Sequence, residues 1–98
     1  MIAVYVTFRY GSEFDEAKVR KIADGARTKF EGMPGLRYKI FTVQPGKREA
    51  TNFYLWDSEE AARAFFTDQM VAGVTGLYGV KPIVEYAQVA ARVENVGR

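Results

Sequence analysis

The sequence predicts an α+β fold: a four-stranded antiparallel sheet carrying two helices on one face. Two observations lead there. Hydrophobic periodicity switches between about two and about 3.6 in the order strand, helix, strand, strand, helix, strand. A chain of 98 residues without cysteine is also long enough to bury a core unaided, yet too short for a second globular unit. One domain, 1–98, is therefore expected.

The first segment, MIAVYVTFRY at residues 1–10, is rich in β-branched and aromatic residues and is closed by Gly11-Ser12, as a strand should be. Ser12 and Asp15 offer caps for a helix. Its apolar stripe is Val19, Ile22, Ala23, Ala26 and Phe30, and it ends near Gly32. Met33-Pro34-Gly35 breaks the helix, and LRYKIFTV at 36–43 reads as the second strand. Pro45-Gly46 then marks a hairpin turn with a long basic tip, leading into TNFYLW at 51–56. Asp57 followed by Glu60 suggests a capping box for a second helix. Its buried edge would be Ala61, Ala62, Phe65, Phe66 and Gln69, ending near Met70. The next stretch, VAGVTGLYGV, spaces Gly73, Gly76 and Gly79 evenly. With no Lys-Ser or Lys-Thr after it and no strand immediately before it, it is expected to be an irregular or short helical lid, not a phosphate cradle. IVEYAQVAARV at 83–93 reads as the last strand, with a mobile tail from about 94. This order of elements is the ferredoxin-like βαββαβ plan.

Composition removes several chemistries. Without cysteine there is no disulfide framework and no thiolate nucleophile. Without histidine the usual general base and the commonest nitrogen ligand are missing, so no metal site is expected. The net charge is +2 and the basic residues are interspersed with acidic ones, which argues against nucleic acid. An RNA-recognition domain shares the element order, but EATNFYLW lacks the basic-residue-and-glycine start of its third strand. Glu13, Asp15 and Glu16, like Asp57, Glu59 and Glu60, lie where helix starts favour negative charge, which accounts for them without catalysis. The first strand is too short to span a membrane and has no leader-like flanks, so a soluble cytoplasmic protein is expected.

The second face of the sheet is unusual. Two helices cover one face, and the other should be polar if it meets water. Here Ile2, Val4, Val6 and Phe8 oppose Ala3, Tyr5, Thr7 and Arg9, while Phe53 and Leu55 oppose Asn52, Tyr54 and Trp56, so both faces are substantially apolar. A homodimer that pairs two sheets into a two-subunit barrel is expected. Asn52, Tyr54 and Trp56 share one side. Their carboxamide, phenol and indole form either an ordinary amphipathic face with a core tryptophan or a wall for an aromatic small molecule.

MPGLRYKIF, EATNFYLWDSEEAARAFF and the GV…VEYAQV ending resemble the small monooxygenases of the dimeric α/β-barrel superfamily. These are related to the antibiotic-biosynthesis monooxygenases, and the YdhR-like branch is the nearest. The resemblance runs from about residue 3 to 93 and rests on the aromatic-Lys-x-aromatic strand Tyr38-Lys39-Ile40-Phe41 and on a Tyr-x-aromatic strand end followed by an acidic cap. It implies a homodimer with a pocket between sheet and helices in each subunit, and oxygenation of an electron-rich phenol or anthrone without metal, flavin or other cofactor. It also implies that Asn52 and Tyr54 donate hydrogen bonds to a developing oxyanion. Trp56 would be a stacking wall and Lys39 an electrostatic partner, with Tyr38 and Phe65 also touching substrate. Two departures stand out. Phe65-Phe66 occupy the place where haem-degrading relatives carry histidine, which excludes His-ligated haem chemistry, and Thr51-Asn52 replace glycines of the branch and reshape the pocket. The alternative function is a non-catalytic homodimer that binds a small ligand. A purely structural module would instead fill the pocket with Trp56 and the phenylalanines.

Overall fold

The computed structural model describes residues 1–95. Strands β1 (Ile2–Arg9), β2 (Leu36–Gln44), β3 (Glu49–Trp56) and β4 (Ile83–Gln88) form one antiparallel sheet in the order β2-β3-β1-β4. Helices α1 (Glu16–Phe30), α2 (Glu59–Phe65) and α3 (Asp68–Tyr78) supply the crossovers, completing an α+β ferredoxin-like fold. Among the described residues no helix is long and apolar enough to cross a membrane.

Register decides which side chains meet the helices. Ile2 pairs with Trp56, Val4 with Tyr54, Val6 with Asn52 and Phe8 with Ala50, and directly opposed residues share a face. All eight of these are buried, and together with Val19, Ala62 and Tyr78 they make the core. On β2 the inward residues include Lys39, opposite Tyr54, Phe41, opposite Asn52, and Val43, opposite Ala50. A register shift between Leu36 and Tyr38 puts Tyr38 opposite Leu55, on the outward face.

Local details depart from the sequence reading in four places. The helix expected from Asp57 to about Met70 is two helices. Ser58, not Asp57, caps α2 by accepting from the Ala61 amide, while Asp57 pairs with Arg37. The chain turns at Phe66, and Thr67 caps α3 through the Met70 amide at 3.1 Å. Gln69, expected on the buried edge, is exposed at the start of α3. The glycine-spaced segment is the body of a regular helix, with Gly79 as its left-handed C-cap at φ 89°. The last strand stops at Gln88 and not at 93, because its ladder partner on β1 begins at Ile2. The long hairpin tip is a compact turn at Pro45–Lys47 closed by Arg48 at φ 55°.

Beyond Gln88 the chain crosses the outward face of the sheet. Residues 89–94 border a groove of about 450 Å³ whose floor includes Ala3, Tyr5, Ile40 and Phe53. The Tyr38 hydroxyl donates to Glu94 at its edge. Most of the tail expected from about 94 lies outside the described residues.

Candidate functional site

The hairpin brings Lys39 and Tyr54 into direct cross-strand opposition on the helix-covered face. From there Lys39 Nζ reaches the Tyr54 hydroxyl at 2.7 Å. It also lies 3.5 Å from the centroid of the Phe30 ring and 4.3 Å from those of Phe41 and Tyr54, so its ammonium form meets three aromatic faces. Two residues back along β3, Asn52 Nδ2 donates to the Tyr78 hydroxyl at 3.1 Å, tying the sheet to α3. Tyr78 in turn stacks on Phe8 with centroids 3.8 Å apart.

All of these groups but Phe8 line a cavity of about 330 Å³ between α1, α3 and the sheet. Lys39, Asn52, Tyr54 and Tyr78 form its polar points, Phe30, Phe41, Phe65, Met70 and Val74 much of its apolar wall, and Lys21 and Lys29 further basic positions. No carboxylate lines it among the described residues. A larger groove of about 590 Å³ lies between α1 and β2. Its lining carries Asp24, Arg27, Glu31 and Arg37, exposed charges that suit a solvated surface better than an aromatic ligand. Phe30, Lys39 and Phe41 border both spaces.

Electrostatics follow from burial. Desolvation, reinforced by the nearby charge of Lys29, pushes the Lys39 amine down from 10.5 to about 7. Near neutral pH it therefore exchanges readily between base and ammonium. Burial raises the Tyr54 hydroxyl above its ordinary range, with Tyr78 contributing, so Tyr54 remains a proton donor. Burial also raises Tyr78, partly opposed by the hydrogen bond from Asn52.

Of the residues singled out in the sequence, Asn52, Tyr54, Lys39 and Phe65 converge on this cavity. Trp56 is not in its lining. It is buried behind the cavity, its ring parallel to Tyr54 at 6.1 Å and tilted against Phe65 at 5.3 Å. Tyr38 is on the outward face, 40 % exposed. Of the four polar points Lys39, Asn52, Tyr54 and Tyr78, Tyr78 is the one that the sequence reading missed. Its signal was the helical spacing Met70, Val74, Tyr78, hidden by the interleaved glycines.

The family model described as "Putative mono-oxygenase ydhR" matches residues 3–91. The chain belongs to this family. Solved structures with the same fold include a monooxygenase from Streptomyces coelicolor in complex with nanaomycin D. It has 19 % identity and a TM-score of 0.69 over 97 % of this chain and 92 % of that one. Another is SnoaB, a cofactor-independent oxygenase from Streptomyces nogalater, solved in a mutant form. It has 16 % identity and a TM-score of 0.61 over 95 % and 94 % of the two chains. Rv0793 from Mycobacterium tuberculosis gives 14 % identity and 0.69 over 95 % and 98 %. No curated protein matches the sequence.

Proposed function

We propose that this YdhR-family protein is a monooxygenase that binds an electron-rich aromatic phenol or anthrone in the cavity and oxygenates it with dioxygen, using no metal or flavin. The observation that carries this reading is Lys39: an amine whose basicity burial brings to about 7, in an aromatic cavity, 2.7 Å from a tyrosine hydroxyl. Triplet dioxygen reacts slowly with closed-shell molecules, so the substrate must first become an anion able to give up one electron. The Lys39 amine takes the phenolic proton, and the resulting ammonium holds the phenolate. Electron transfer yields a radical and superoxide, which combine at a ring carbon to give a peroxide. The proton held by Lys39 passes to the peroxide, and loss of the hydrogen on that ring carbon with cleavage of the O–O bond then leaves a carbonyl, so one oxygen atom enters the product and the other departs as water. Tyr54 and Asn52 donate hydrogen bonds to the oxyanion, Phe65 walls the ring, and Trp56 fixes Tyr54 from behind. The apolar lining keeps water from quenching the anion. The oxygenases of the same fold support the reaction class.

We further propose that a second copy of the chain covers the outward sheet face. Ile40 at 52 % exposure, Tyr5 and Tyr38 at 40 % and Ile83 at 42 % leave that face more apolar than solvent contact favours.

Oxygen uptake by purified, metal-stripped protein with anthrones, hydroquinones and polycyclic phenols tests the reaction. Lys39→Met should lower the rate at least about a hundredfold while leaving the fold intact. Equal rates in the variant would remove Lys39 from the mechanism. Binding without uptake across the panel would make the protein a ligand-binding module.

A further inference from the structure

The amine of Lys39 has chemistry that oxygenation does not use. Lysines that attack carbonyl groups need three things: a free lone pair, a site dry enough to favour loss of water, and a nearby group to move protons. The cavity supplies each. Its walls at Nζ are the rings of Phe30, Phe41 and Tyr54 at 3.5–4.3 Å. Asp24 and Glu31 line only the adjoining groove, no carboxylate lines the cavity itself among the described residues, and Lys29 lines the same space and opposes the charging of the nitrogen. The Tyr54 hydroxyl lies 2.7 Å from Nζ, and a space of about 330 Å³ accommodates a one-ring ligand.

We propose that Lys39 captures aromatic aldehydes within this cavity as a reversible imine. The nitrogen lone pair forms a bond to the carbonyl carbon while the π pair of the C=O bond moves to oxygen. The proton released by nitrogen reaches that oxygen through the Tyr54 hydroxyl, giving a carbinolamine. Loss of the second N–H proton and of the hydroxyl as water then forms the C=N bond. Amine and aldehyde become imine and water, and nothing is oxidised or reduced. The proposal shares the aromatic cavity of the oxygenase reading but none of its oxygen chemistry.

The full chain is treated at pH 7, without oxygen, with 4-hydroxybenzaldehyde and sodium cyanoborohydride, whose hydride fixes each imine as a secondary amine. Peptide mapping by mass spectrometry then reads each lysine separately. Lys39 should label at least about tenfold faster than the exposed Lys47 and Lys81. Excess p-cresol, which fits the same space but has no carbonyl, should slow labelling at Lys39 and leave Lys47 unchanged. Tyr54→Phe, which keeps the ring, should slow Lys39 alone. Labelling of Lys39 at or below the rate of the exposed lysines, or indifference to p-cresol, overturns the proposal. Because oxygen is absent, imine capture and oxygenation can fail independently.

Discussion

On β1, Val4, Val6 and Phe8 lie under the helices with almost no exposure, whereas Tyr5 on the same strand is 40 % exposed and packs against Phe53 at a centroid distance of 5.3 Å. The two faces draw on similar side chains. What separates them is the fate of polar groups. The covered face buries Asn52 and the hydroxyls of Tyr54 and Tyr78 and gives each a partner, and of its cavity-side polar groups among the described residues only the deeper Trp56 indole N–H is left without one. The outward face pairs the Tyr38 phenol at the rim, where it donates to Glu94, and leaves Tyr5 and Ile40 open to solvent. Polar groups placed deep and paired specify a site, because an unpaired one would cost about 1–3 kcal/mol. Apolar groups left exposed on the outward face are what the proposed second copy would cover.

Substitutions on either face sharpen this contrast. The largest effect is expected at Phe8, which is fully buried and stacked on Tyr78. Phe8→Ala should cost about 3–5 kcal/mol in urea unfolding, and a loss under about 1 kcal/mol would show the covered face to be loosely packed.

Lys39 comes next and has the opposite sign. With its folded value near 7 against an ordinary 10.5, the unfolded chain binds the extra proton between those limits, so stability rises with pH across that window. The charged and titratable groups bordering the two spaces it lines are Lys21, Asp24, Arg27 and Lys29 from α1, Glu31 just after it, Arg37 from β2, Tyr54 from β3 and Tyr78 from α3. Lys39→Met should therefore be more stable than the parent at pH 7, by on the order of 1 kcal/mol, and should lose part of the rise between about pH 7 and 9. Parallel stability curves for the two proteins would place the amine in water.

The smallest change in stability belongs to the outward face. Ile40→Lys should alter monomer stability by no more than about 0.5 kcal/mol. In sedimentation velocity at micromolar concentration, however, it should convert a dimer into a monomer. A wild-type monomer under those conditions would remove the second copy from the reading.

Much of this contrast was legible in the sequence. Period-two alternation placed Asn52, Tyr54 and Trp56 on one face and Phe53 and Leu55 on the other, and the register bears this out. What alternation cannot supply is depth. Asn52, Tyr54 and Trp56 point the same way, yet the first two meet the cavity while Trp56 sits deeper, where Phe65 and Phe66 close over it. Tyr38 and Lys39 are neighbours in the chain, so period two sends them to opposite faces and only Lys39 reaches the cavity. The α3 helix was obscured because glycine disfavours helices by about 1 kcal/mol, whereas the Thr67 cap and the packing of Tyr78 on Phe8 outweigh Gly73 and Gly76.

The strand order β2-β3-β1-β4 also sets a schedule for assembly. The β2–β3 hairpin closes across a four-residue connection, 45–48, and can form early. By contrast β1, made first, must wait for β3 on one side and for β4 on the other, with Thr7 meeting Ile83 across most of the chain. During synthesis an apolar strand thus emerges with both its edges unpaired, and the last six-residue strand seals it. Folding should be governed by these late, long-range closures, and β1 is the segment most exposed to mispairing before they occur.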